Sequence, residues 1–216
     1  DGIRDVAVTG VQTCALPICI RSAGENYGVA HAYDRGAVTP YLGSVYTLSP
    51  EASVYASYTG IFNPQTEVNA NQQVLDPIRG RSVEVGLKTE WLDRRVAANL
   101  AVFRTRQANT AEQAGTFANY QAYYRGVDAT STGYELELTG KLTPRWNVQA
   151  GLSQFKLVDD DGEDARTFVP RRTLRVATTY DVRDDIKLGA ALRYQSHIST
   201  MDGSTEISQG AYTLLD

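Results

Sequence analysis

The stretch Gly80–Gln107, GRSVEVGLKTEWLDRRVAANLAVFRTRQ, constrains this chain more than any other. Val83, Val85, Leu87, Thr89 and Trp91 occupy every second position, with Ser82, Glu84, Gly86, Lys88 and Glu90 between them. A strand sends successive side chains to opposite faces, so this run is a ribbon with one apolar and one charged face. After Leu92-Asp93-Arg94-Arg95 the alternation resumes, with Val96, Ala98, Leu100 and Val102 set against Ala97, Asn99, Ala101, Phe103 and Thr105. Two such runs about a short turn predict a long hairpin. Its apolar face needs cover, from a protein core or from lipid.

Average composition is nearly blind to that choice. Mean hydropathy is −0.32, and no run of eighteen apolar residues exists, which excludes a transmembrane helix. A transmembrane barrel has a polar interior and places apolar residues only at alternate positions, so it stays open. The net charge of −4 gives a nucleic-acid partner no electrostatic support.

Residues 1–19, DGIRDVAVTGVQTCALPIC, have no clear strand or helix pattern and lack the basic start and continuous apolar core of a signal peptide. DGIRD (1–5) and VTGVQTCALPI (8–18) resemble the in-frame translation of a sequencing-library adapter, with Val6-Ala7 in place of the index. Residues 1–19 are therefore expected to be non-native, leaving 20–216 as the biological domain. Both cysteines, Cys14 and Cys19, lie in the excluded segment. They carry no disulfide or metal argument, and a cysteine-free remainder fits an outer-membrane protein.

Beyond an irregular stretch at 20–36, strands are expected over 37–48, 53–62, 80–91, 96–107, 132–142, 146–158, 173–182 and 186–195, with one more beginning at Gly210. Short turns at 49–51, 92–95, 143–145 and 183–185 alternate with long polar loops at 63–79, 108–131, 159–168 and 196–209. Strands of about ten residues are long enough to cross a bilayer when tilted, whereas soluble strands centre on about five or six. Short turns on one side and long loops on the other is the outer-membrane pattern. Tyr41, Tyr46, Tyr58, Phe62, Trp91, Tyr134, Trp146, Tyr180 and Tyr194 lie near strand ends, where interfacial girdles sit. A sandwich, propeller or solenoid competes, but no blade motif repeats.

Three blocks carry a family likeness: VTPYLGSVYTLSPEASVYASYTGIFNPQ (38–65), LDPIRGRSVEVGLKTEWLDRRVAANLAVFRTRQAN (75–109) and STGYELELTGKLTPRWNVQAGLSQFKLVDDDG (131–162). With VPRRTLRVATTYDV (169–182), where a proline and a basic residue precede a strand, they resemble the C-terminal half of TonB-dependent ferric-siderophore receptors. The likeness runs from Val38 to Asp216 and leans toward the hydroxamate and pyoverdine branch. It implies an all-β fold, an antiparallel transmembrane β-barrel fragment with about nine of the twenty-two strands of a plugged barrel. It implies that the plug, the TonB box and the last strands lie outside this chain. Expected partners are a ferric siderophore, the TonB complex acting through the absent plug, and outer-membrane lipid and lipopolysaccharide, in the outer membrane of a Gram-negative bacterium. Another cargo, such as cobalamin or a glycan, and a passive porin or barrel enzyme are the alternatives.

Such a receptor needs binding groups rather than catalytic ones. Tyr120, Tyr123, Tyr124 and Arg125 offer aromatic and hydrogen-bonding contacts to a siderophore, and packing between loops is their competing role. Asn71, Gln72 and Gln73 face ligand or solvent. Asp159-Asp160-Asp161-Gly162-Glu163-Asp164 lacks the spacing of an EF-hand, so a solvated loop, or loose divalent-cation contact beside lipopolysaccharide, is expected. His31 and His197 are isolated and give no metal site. Glu84, Glu90, Glu135 and Glu137 are expected to be lumen charge paired with Lys88, Lys141 and Arg175 rather than a glycosidase pair. No GxSxG, P-loop or catalytic cysteine occurs. The chain is expected to be no enzyme and to hold no cofactor, because iron arrives already chelated.

Overall fold

A computed structural model describes the backbone of residues 6–14, 37–202 and 205–216, with side chains from 37 to 201 and 205 to 216. Twelve strands run β1 (Val6–Cys14), β2 (Ala37–Ser49), β3 (Ala52–Asn63), β4 (Ile78–Trp91), β5 (Val96–Thr116), β6 (Ala122–Thr143), β7 (Trp146–Asp159), β8 (Arg172–Arg183), β9 (Ile186–Gln195), β10 (Ile198–Asp202), β11 (Thr205–Gln209) and β12 (Tyr212–Leu215). Ten form one sheet in the order β1 to β9 and then β12; β10 and β11 form a separate hairpin. Every pairing is antiparallel. Among the described strands the sheet does not close on itself. All nine strands read from alternation are present. No helix occurs among the described residues.

Register turns the alternation of single strands into two continuous faces. Tyr46, Val54, Leu87, Leu100, Leu136, Leu152, Leu174 and Tyr194 stand side by side across eight strands. On the opposite face Ser53, Lys88, Asn99, Glu137, Gly151, Arg175 and Arg193 form a row. A register slip of one residue would exchange these faces, so the pattern pins the pairing. Among the described residues no second layer of structure packs on the apolar face. Leu100, Val102 and Leu136 are exposed, and the buried apolar side chains among the described residues are few and small: Pro77, Val96, Ala101, Ala129 and Ala165. A patch of this size has to be covered in use, and a bilayer covers it without a second layer of protein.

Trp91, Trp146 and Tyr180 gather at the short-turn end of the apolar face, where Trp146 faces Tyr180 across β7 and β8. The Trp146 indole N–H donates to Thr178 Oγ1 at 2.7 Å, giving each end of this amphipathic side chain a suitable neighbour. Tyr41 is not part of such a girdle. Its partner Thr59 pairs with Ser82, which places Tyr41 on the polar face.

Three expectations change. Residues 108–131 are not an open loop, because β5 and β6 run on as paired strands to Thr116 and Ala122. Residues 196–209 contain the β10–β11 hairpin. Residues 6–14 do form a strand, from Val6 opposite Val45 to Cys14 opposite Ala37. The free edge of β2 explains that pairing: unpaired N–H and C=O groups accept an extended segment whatever its side chains.

Candidate functional site

Tyr55 Oη donates to Glu84 Oε1 at 2.7 Å, and Ser153 Oγ donates to Glu135 Oε1 at 3.3 Å. Among the described residues Lys88 has no carboxylate at ion-pair distance, contrary to expectation; its ammonium lies 4.9 Å from the centre of the Tyr55 ring. Among the described residues neither Lys141 nor Arg175 forms an ion pair either. The cause is energetic, since a solvated ion pair gains little over separate hydration. These carboxylates are wall side chains held by neutral donors.

The four long connections form a rim at the far end from the short turns. Three of them end in the same five-residue turn. Asn69 N–H donates to Gln73 O at 2.8 Å, Phe117 N–H to Gln121 O at 2.8 Å, and Asp159 N–H to Glu163 O at 3.0 Å. The fourth residue of each has positive φ: Gln72 at 60°, Tyr120 at 64° and Gly162 at 84°. Asn69 Oδ1 accepts from the Asn71 and Gln73 amides at 2.9 and 3.0 Å. Asp159 Oδ1 accepts from the Asp161 and Glu163 amides, each at 3.0 Å. Asn and Asp suit this position because their side chains reach backbone amides two residues on. The acidic run at 159–164 is thus a capped turn, with the Asp159 carboxylate already engaged.

Adjacent loops are tied to one another. Gln65, only 5% exposed, donates from Nε2 to Asp76 O at 2.6 Å and to Asn109 O at 2.7 Å, and its Oε1 accepts from Ala111 N–H at 3.2 Å. Tyr124 N–H donates to Val68 O at 2.8 Å. Arg166 Nη2 donates to Ala111 O at 3.4 Å, and Arg106 lies 3.4 Å from Asp160. Thr167 Oγ1 donates to Ser199 O at 2.7 Å. These bonds join 64–77, the β5–β6 extension, 160–171 and the β10–β11 hairpin in sequence. Beneath them Arg171 bonds Ala165 O and lies 5.5 Å from the Phe155 ring centre. Burial pushes its guanidinium below the ordinary value, opposed by Asp164.

The expected site residues fall into two groups. Tyr120 stands at the tip of the extension, 92% exposed, and Asn71, Gln72 and Gln73 form the tip of the first loop. Tyr123, Tyr124 and Arg125 instead build the extension. The Tyr123 ring sits 5.1 Å from Phe117 and covers Gly115, where any Cβ would collide with it. Arg125 bonds Glu112 at 2.6 Å, and that carboxylate raises the Arg125 pKa further. Gln65 was not legible as an organising residue: one glutamine in a polar loop looks like any solvated glutamine.

The TonB dependent receptor-like β-barrel family model matches residues 20–216. The ferripyoverdine receptor of Pseudomonas aeruginosa is 35% identical over 173 residues, covering 75% of this chain and 21% of that protein. The ferric-pyoverdine 358 receptor of Pseudomonas putida is 36% identical over 192 residues, covering 78% and 23%. The crystal structure of the Pseudomonas aeruginosa ferripyoverdine receptor bound to ferripyoverdine superposes with a TM-score of 0.74 at 32% identity, over 87% of this chain and 27% of that one. The chain thus spans about a quarter of the length of these relatives.

Proposed function

From the premise that this chain belongs to the TonB dependent receptor-like β-barrel family, we propose that it is a section of an outer-membrane receptor that takes up ferric siderophore under the drive of TonB. The observation that carries this is the 35% identity with the ferripyoverdine receptor, which spans wall and rim alike. A siderophore of the pyoverdine class is the cargo this likeness favours. The apolar face meets outer-membrane lipid, the polar face meets the lumen, and the rim of loops faces the medium. TonB acts through a plug domain outside this chain. Iron passes through as chelated cargo with no protein ligand, and no residue here has a catalytic role.

Within the rim, Tyr120 and the Asn71–Gln73 tip are the groups free to contact ligand. Tyr123, Tyr124 and Arg125 act by holding the extension that presents Tyr120. Residues 1–19 stand outside the native receptor, a view supported by the family match over 20–216. Sequencing the gene across the junction at residue 20 tests that point.

The functional test uses the full-length gene, expressed in a Gram-negative host without its own siderophore receptors. Uptake of radiolabelled iron as ferripyoverdine that requires TonB is the expected result. Uptake that persists without TonB, or uptake of glycan or cobalamin alone, sinks the proposal.

A further inference from the structure

Where the wall ends, one side chain takes the place of a strand. β4 pairs with β5 as far as Arg79 opposite Ala108, and on the other side the β5–β6 register breaks between Gln107 and Thr110. Beyond that point, among the described residues, the edge of β5 that faced β4 has no strand beside it. Backbone groups there still need partners, because Thr110 is 1% exposed. Gln65 supplies them. Its Nε2 donates to Asn109 O and its Oε1 accepts from Ala111 N–H, the two groups that flank Thr110. The same Nε2 donates to Asp76 O, just ahead of β4. One amide thus closes the first connection at its base and fixes the line along which the β5–β6 extension leaves the wall.

The two arms that meet at Gln65 carry the rim tips. The first rises from Gln65 and Asp76 through the Val68–Val74 bridge to Asn71–Gln73. The second rises from Asn109 to Tyr120 at its exposed tip. Asn109 has a φ of 60°, and its N–H donates to Asp128 Oδ1 at 3.3 Å, so the second arm bends at the residue that Gln65 holds. Above Gln65 the arms meet again where Tyr124 N–H donates to Val68 O. The wall ladder below Gln107 forms without Gln65. Removing its amide leaves the Asp76 and Asn109 carbonyls and the Ala111 amide to find water, which parts the arms at their base. Gln65 is buried and its amide is engaged at both ends, so cargo held at the tips does not touch it.

We propose that Gln65 is a positioning residue for cargo: it holds Tyr120 and the Asn71–Gln73 tip at one separation, and affinity for a ferric siderophore depends on it without contact. This rests on the receptor reading given above, with Tyr120 as a ligand contact. The test uses the full-length receptor and its Gln65→Glu and Gln65→Leu variants. Glutamate keeps the size and the acceptor for Ala111 N–H but loses both donated bonds; leucine keeps bulk and loses all three. Each variant is expected to bind ferripyoverdine at least about tenfold more weakly, because the paired tips are no longer preorganised. In TonB-dependent uptake KM rises and kcat stays, as expected when binding alone is lost. Tyr120→Ala weakens binding by itself and adds less than about twofold to Gln65→Glu, because the two act through one arrangement. Spin labels at Ala70→Cys and Ala118→Cys, in a receptor otherwise free of cysteine, give one narrow distance in the wild type and a broad spread in Gln65→Glu. Unaltered affinity in both Gln65 variants overturns the proposal, as do effects of Gln65→Glu and Tyr120→Ala that simply add, or an unaltered label distance. An affinity loss matched by a shift in wall unfolding also overturns it, because Gln65 is then a stability residue. A wild type that binds no ferripyoverdine defeats the receptor reading for this cargo, whereas wild-type binding with unaltered variants defeats the role of Gln65 alone.

Discussion

Strands β5 and β6 each have two halves, and the halves obey different rules. From Val96 to Gln107, paired with Ala129 to Gly140, register is unbroken and side chains alternate between the two faces. Beyond Gln107, as far as Thr116 paired with Ala122, register shifts twice and Asn109 takes positive φ. In the proposed receptor the wall half has a bilayer on one side and a polar lumen on the other, so a period of two satisfies every position. The rim half has neighbouring loops on its sides, and individual hydrogen bonds from Gln65 and Arg166 decide where it goes. Bulges concentrate where a strand leaves such a regular environment. A wall is specified by a pattern, a rim by particular residues.

The largest expected effect concerns the wall as a whole. Residues 20–216 expressed alone leave sheet edges unpaired within the bilayer, which is too costly to persist. Conductance across planar bilayers is expected to be absent; a stable pore from this segment breaks the contrast. Next comes a single charge on the belt. Leu100→Arg in the full-length receptor should cost about 2–4 kcal/mol near the bilayer midplane, seen by guanidinium titration in vesicles, while Tyr120→Arg at the rim should cost nothing measurable there. Equal costs at the two positions would erase the distinction.

Gln65→Leu separates the halves in the other direction. It removes three hydrogen bonds while keeping bulk, for about 1–3 kcal/mol. Protease cleavage within 64–77 and the extension should rise, with wall unfolding unchanged. Gln72→Gly relieves a left-handed conformation and should stabilise the first loop by up to about 1 kcal/mol. If Gln72 contacts cargo, ferripyoverdine affinity falls in the same variant; unaltered affinity removes Gln72 from the site. The smallest effect belongs to Arg125→Gln, an exposed ion pair with Glu112 worth at most about 1 kcal/mol. Its loss should shift neither uptake nor wall stability, and a large uptake defect would make Arg125 a ligand contact rather than a strut.

Strand placement was legible because the environment of the wall is periodic. Val83, Val85 and Leu87 announce their face in a single strand, and the cross-strand row of leucines follows from the same rule applied five times. The extension at 108–131 was not legible. Glu112 pairs with Arg125, Tyr123 packs on Phe117, and Ala111 and Tyr124 bond the neighbouring loop, contacts of no fixed period, so polar composition there reads as open loop. Lys88 was misassigned for a related reason. Sequence shows charges of both signs on one face, but the Tyr55 ring beside Lys88 is visible only across strands.

By itself the sequence determined that this chain is a two-faced antiparallel wall with short turns at one end and long connections at the other. Alternation is a local property, and each residue carries its own share of it. The tertiary structure alone decided the Gln65 junction. Gln65, Asp76, Asn109 and Ala111 lie far apart along the chain, and hydrogen bonds are what bring them to one place.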